Sequence, residues 1–121
     1  MKVLVVDDED DIRRIALLSL VGVGGMEVAE ASGGPEGIRR ARENRPDVIL
    51  LDMMMPGMDG LATFRALRGD PETSKIPVVF LTAKAMTSEV DRLKELGACG
   101  VLIKPFDPMT LPVLLRGLVD A

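Results

Sequence analysis

Asp7, Asp8, Asp52, Thr82 and Lys104 are the side chains of this chain best suited to do chemistry. Each follows a short apolar run. Val3-Leu4-Val5-Val6 ends in Asp7-Asp8, and Val48-Ile49-Leu50-Leu51 ends in Asp52. Val78-Val79-Phe80-Leu81 ends in Thr82, and Val101-Leu102-Ile103 ends in Lys104. Carboxylates gathered at one place repel one another unless a cation neutralises them. Oxygen ligands alone select a hard cation. Mg²⁺ takes one or two carboxylates, keeps several waters and accepts phosphate oxygens. Lys104 is a point-charge counter-ion for these carboxylates and for a phosphoryl group. The Thr82 hydroxyl can donate to a phosphoryl oxygen. Asp52 stands alone, whereas Asp7 and Asp8 form a pair suited to metal. Asp52 is therefore the best nucleophile toward a phosphoryl donor.

Elements that end in these residues must deliver them to one edge. The apolar runs are short and mostly β-branched, as strands of a parallel sheet buried on both faces are. They alternate with helical stretches, which is the βαβ pattern. All parallel strands send their carboxyl ends to the same edge, where open α/β sheets bind ligands. The first helix is expected over 10–21, with Asp10 or Asp11 as its cap and Gly22, Gly24 and Gly25 ending it. Residues 26–31 read as an edge strand, since edges tolerate charges such as Glu27 and Glu30. Further helices are expected over 34–44, opened by Pro35, over 60–68, and over 87–96, with Gly97 ending the last. Strands are expected over 47–51, from Pro77 onward, and over 100–103. The final helix is expected to take Thr110 as N-cap, because Pro112 tolerates only the first turn. Leu111, Leu114, Leu115 and Leu118 would form its inward stripe.

At 121 residues with 47% hydrophobic content, the chain reads as one domain, 1–121, able to bury roughly two-thirds of its unfolded surface. Its single cysteine, Cys99, excludes an internal disulfide and reads as a small core residue. That favours a reducing compartment and a cytoplasmic location. No apolar run is long enough to span a bilayer. A net charge of −4 without a basic stretch disfavours direct nucleic-acid binding. The chain has no histidine, so any phosphohistidine belongs to a partner. Met53, Met54, Met55 and Met58 are soft ligands that Mg²⁺ ignores. They are expected to pack under their loop as gap fillers.

No charge occurs from residue 16 to 26. Ile12, Ile15, Ala16 and Ser19 are expected to face inward. Some of Leu17, Leu18, Leu20, Val21 and Val23 then stay near the surface, where apolar groups mark a contact site. Docking of a partner or homodimerisation is the expected use.

Val5-Val6-Asp7-Asp8-Glu9, Leu51-Asp52-Met53-Met54-Met55-Pro56-Gly57-Met58-Asp59-Gly60, Leu81-Thr82-Ala83 and Lys104-Pro105-Phe106 occur in this order along the chain. With these motifs the whole chain resembles the receiver domain of two-component response regulators, including the single-domain chemotaxis type. The resemblance implies a flavodoxin-like, doubly wound α/β fold: a parallel sheet of order 2-1-3-4-5 with five helices. It implies that Asp52 accepts phosphate from a histidine of a sensor histidine kinase or a histidine phosphotransfer protein. It implies Mg²⁺ held by Asp8, Asp52 and the main-chain carbonyl of Met54, with Asp7 acting largely through water. Lys104 would contact the phosphoryl group, Thr82 would move toward it, and Lys104-Pro105 would be a cis peptide. The first helix would dock the histidine-bearing helix bundle. The chain departs from the family at Val101, where an aromatic residue often swings inward with the threonine. The signal is therefore expected to rest on Thr82 and residues 83–87, with little change at the strand over 100–103. Met54 and Lys84 occupy the positions that tune self-dephosphorylation in the family.

Two other classes share parts of this pattern. An aspartate-nucleophile phosphatase of the haloacid-dehalogenase type would want a threonine near its acids, and Asp11-Ile12 follows here instead. A flavodoxin-like electron carrier would need a first loop that binds a flavin phosphate, which Asp7-Asp8-Glu9 would repel.

Overall fold

The computed structural model describes residues 1–83 and 86–120. Lys84, and with it part of the expected 83–87 loop, lies outside the described residues. In chain order the elements are β1 (Lys2–Val6), α1 (Asp10–Leu18), a π-helical turn (Ser19–Val23), β2 (Glu27–Ala31), α2 (Gly34–Asn44), β3 (Val48–Asp52), α3 (Gly60–Gly69), β4 (Val78–Thr82), α4 (Thr87–Glu95), β5 (Gly100–Ile103) and α5 (Leu111–Asp120). The strands pair in parallel in the order 2-1-3-4-5, as the family resemblance implies. β2 is an edge, in keeping with its charged residues.

Strand periodicity divides the core. Leu4 and Val6 of β1, Ile49 and Leu51 of β3 and Val78 and Phe80 of β4 pack on one face with Phe64 and Leu67 of α3 and Leu93 of α4. Their neighbours Val3, Val5, Val48, Leu50, Val79 and Leu81 pack on the other with Ala16, Leu20, Leu111 and Leu115. All twelve strand residues are at most 1% exposed. Each such burial is worth ~1.5–3 kcal/mol, which is why the central strands read as unbroken apolar runs. Cys99, expected in the core, is only partly buried and packs against the margin of the second cluster.

Several local expectations need correction. The helix after β1 does not end at Val21. It continues through Gly22 to Val23 as a π turn, closed when Gly24 N–H donates to the Ser19 carbonyl. Neither Asp10 nor Asp11 is its cap. Glu9 occupies that position without a side-chain bond, and both aspartates lie in the first turn. Ile15 is 41% exposed while Leu20 is fully buried. Ile12, Ala16, Ser19 and Leu20 form the i, i+4, i+7, i+8 stripe, and Ile15 sits at its margin. In α5, Thr110 does precede the first helical residue and its carbonyl accepts from Leu114 N–H. Its hydroxyl, however, donates back to the Asp107 carbonyl. Leu114 is 49% exposed, and Val119 joins Leu111, Leu115 and Leu118 on the core instead.

Two glycines set tight turns, the second of them beside the strand end that carries Asp52. Gly97, at φ 111°, closes α4 with its own N–H on the Lys94 carbonyl and that of Ala98 on the Leu93 carbonyl. Gly60 opens α3 so close to β3 that a Cβ there would collide with the Asp52 carbonyl oxygen. Lys104-Pro105 is cis.

Candidate functional site

The register places the acids. Val6 lies opposite Leu51, so Asp7 and Asp52 leave β1 and β3 side by side. Asp7 N–H still donates to the Ala31 carbonyl at 3.1 Å, an extension of the β1–β2 ladder. Leu81 lies opposite Asp52 and Ile103 opposite Thr82. Lys104 N–H then donates to the Thr82 carbonyl at 2.8 Å. The four predicted strand ends therefore meet at one edge.

One carboxylate oxygen from each of Asp7, Asp8 and Asp52 lies within 4.8 Å of the others. Asp7 and Asp52 are 1% and 3% exposed, and Asp8 is half-buried. Lys104 Nζ stands 3.0 Å from Asp7 Oδ2 and 3.3 Å from Asp52 Oδ1. Glu9, which the sequence offered only as part of a motif, reaches the same ammonium at 3.4 Å. Asp7 Oδ1 accepts from Glu9 N–H at 2.9 Å, and Asp52 Oδ1 accepts from Met54 N–H at 3.3 Å. Asp8 Oδ1 and Asp52 Oδ2 are buried with no hydrogen-bond partner among the described residues. Buried carboxylate oxygens rarely stay unpaired. The donor set is all oxygen, so these two atoms fit a hard divalent cation.

The electrostatics agree. Burial, and then the Asp7 charge, push the Asp52 carboxyl up to about 6 against the pull of Lys104 and of the Met54 N–H. Burial would lower the Lys104 ammonium, yet Asp7 and Asp52 together hold it above its usual value. One ammonium thus restrains a cluster that carries more negative charge than it can cancel.

The loop after β3 is pinned at both ends. Asp59 caps α3 by accepting from Ala62 N–H at 2.8 Å, and Gly60 N–H donates to the Met53 carbonyl at 3.0 Å. Met55 is buried and Met53 packs on the core, as expected of gap fillers. Met54 is the exception, at 76% exposed. Its N–H is turned toward Asp52 while its side chain is exposed.

Thr82 is half-buried on the opposite side of the pleat from Asp52. With Val101 it borders a cavity of about 440 Å³, lined chiefly by Met53, Leu61, Val90, Leu93 and Leu96. Arg13 also went unnoticed in the sequence. It hydrogen-bonds to Asp7, Asp10 and Glu30 at the margin of the cluster. The signal that would have found it is an arginine one helical turn after Asp10, with a charged residue on the neighbouring edge strand.

The family model of the response regulator receiver domain matches residues 3–116. The response regulator PleD of Caulobacter vibrioides is 41% identical over 119 residues, covering 97% of this chain and 26% of that protein. The DNA-binding response regulator MtrA of Mycobacterium tuberculosis is 39% identical over 115 residues, covering 95% of this chain and 49% of that protein. The chain thus spans half or less of the length of these curated relatives. The solved structure of the chemotaxis response regulator CheY4 of Vibrio cholerae superposes with a TM-score of 0.88 at 36% identity, covering 97% of each chain. Among the described residues no helix is long and apolar enough to cross a membrane. The acidic cluster sits where the strands of this fold end, and the chain belongs to the response regulator receiver domain family of two-component signalling.

Proposed function

We propose that residues 1–121 act as one phosphoacceptor unit in the cytoplasm, receiving a phosphoryl group on Asp52 from a phosphohistidine of a sensor histidine kinase or histidine phosphotransfer protein. The observation that carries this reading is Asp52 itself. It is a carboxylate 3% exposed at a strand end, with one oxygen 3.3 Å from Lys104 Nζ and the other without a hydrogen-bond partner among the described residues. An Asp52 oxygen attacks phosphorus, the phosphorus–nitrogen bond breaks, and the electron pair leaves on the partner's imidazole. An acyl phosphate remains. Such transfer needs alignment and charge neutralisation more than covalent assistance. Lys104 supplies a fixed positive charge for the incoming phosphoryl oxygens.

Asp8, Asp52 and the Met54 main-chain carbonyl would hold Mg²⁺, with Asp7 contributing through water. The cation supplies charge neutralisation for the carboxylates and the phosphoryl oxygens. Thr82 would follow the phosphoryl group and pass its presence to the α4 side. The donor docks on the exposed apolar residues Ile15, Leu18, Val21 and Val23, which are 41–65% exposed. The output is a change in protein contacts, homodimerisation included. Direct DNA binding is stated in the name of MtrA, of which this chain matches only about half.

The test uses a small acyl-phosphate donor with Mg²⁺ and intact-mass spectrometry. Wild type gains one base-labile phosphoryl group and Asp52→Asn gains none. Equal labelling of the two would remove Asp52 from its role.

A further inference from the structure

Arg13 ties three elements together beside the acidic cluster. Its Nη1 donates to the Asp7 main-chain carbonyl at 2.7 Å. Its Nε donates to Glu30 Oε1 on β2 at 3.2 Å, and its Nη2 to Asp10 Oδ1 in the first turn of α1 at 2.6 Å. The side chain is 16% exposed, unusually sheltered for a charge on a helix flank. Burial alone would lower its pKa, but Asp10 and Glu30 outweigh burial and raise it. The guanidinium is therefore charged at every working pH.

The Asp7 carbonyl and the Asp8 N–H share one rigid peptide plane. The amide on the other side of Asp7 is already held by the Ala31 carbonyl. Arg13 grips the remaining freedom, the rotation of the Asp7–Asp8 peptide. Asp8 follows directly, and its Oδ1 has no hydrogen bond among the described residues. The peptide plane therefore sets the point from which the Asp8 side chain departs. A planar fork with separate donors can hold three acceptors on three elements, which a lysine ammonium at one point cannot.

We propose that Arg13 is a positioning residue for the divalent-cation site, fixing the Asp7–Asp8 peptide so that both carboxylates face Asp52. The inference rests on the cation reading given above. It makes a prediction opposite in sign to simple electrostatics. A positive charge beside the cluster repels a cation, so removing it should tighten binding if charge alone mattered. Loss of positioning should weaken binding instead, by roughly tenfold, the lower end of what outer partners of metal ligands contribute.

The experiment is a calorimetric Mg²⁺ titration of the full chain as wild type, Arg13→Ala and Arg13→Lys at one ionic strength, with circular dichroism to establish folding. The expected result is roughly tenfold weaker binding in both variants. The loss in Arg13→Lys excludes a charge effect, because the charge is kept. Unchanged or tighter binding in a folded Arg13→Ala overturns the positioning role. A purely structural arginine would lower the unfolding temperature and leave affinity unchanged. If Arg13→Ala does not fold, Arg13→Lys decides by the same measure. A wild type that binds no Mg²⁺ overturns the cation reading itself and this inference with it. Binding in the wild type with no effect of either substitution overturns this inference alone.

Discussion

Toward β1 and β3, the carboxyl edge of the sheet is crowded with fixed charge. Asp7, Asp8 and Asp52 lie within ligand distance of one another, and Lys104 pairs with Asp7, Glu9 and Asp52. Toward α4, one pleat away, the same edge opens into an apolar cavity of about 440 Å³ beside Thr82 and Val101. The first region is held by contacts that a cation or phosphoryl group would complete. The second has room into which side chains can repack. A ligand shifts a conformational equilibrium only by its differential affinity for the two states. The tight region is suited to bind, and the loose region is suited to move. Thr82 belongs to both, because its carbonyl pairs with Lys104 N–H while its side chain borders the cavity.

The largest expected effect breaks the charged region. Asp8→Ala removes a buried oxygen that lacks a hydrogen bond among the described residues. Mg²⁺ affinity should fall at least about tenfold, no less than the loss of an outer partner. Lys104→Ala removes a competing positive charge and should leave Mg²⁺ affinity equal or higher, while phosphorylation is still impaired. Calorimetric titration of the two variants checks this. Lost binding in Lys104→Ala would mean that the ammonium organises the site rather than merely balancing it.

A second, smaller effect follows from pH. The Asp52 carboxyl is raised from 3.8 to about 6 by burial first and by Asp7 second. Native protein then holds a proton that the unfolded chain releases. The stability this group contributes is fully present below the unfolded value and is lost as pH rises through about 6. Without metal, Asp52→Asn should therefore unfold at a higher temperature than wild type at neutral pH, by a few degrees. The gap should close as the solution is acidified through that window. Mg²⁺ affinity runs the other way and weakens as pH falls through about 6, because protons compete for Asp52. Thermal melts and titrations across this range test both signs.

The smallest effect sharpens the other region. Val101→Phe places a ring against the cavity, and filling such space is typically worth ~1 kcal/mol. The unfolding temperature should rise by about 4 °C, with small-donor phosphorylation unchanged. A lower unfolding temperature would show that the cavity walls cannot admit the ring.

Much of this was legible in the chain itself. Short β-branched runs alternating with helical stretches gave the parallel sheet, since only strands buried on both faces read that way. The polar residue closing each run marked the functional edge, because the carboxyl ends of parallel strands converge. Asp7, Asp8, Asp52 and Lys104 all appear where that reasoning puts them. Element type and edge depend on local pattern and chain direction alone. Residues that act across elements could not be read this way. Arg13 and Glu30 are 17 positions apart and meet only because β2 pairs beside β1. Whether Ile15 or Leu20 is buried depends on which helical stripe the sheet covers. The raised Asp52 carboxyl and the cavity beside Val101 depend on burial and packing from several elements at once. A sequence states which groups a strand delivers, and only the packed molecule sets the distance and desolvation that give those groups their energies.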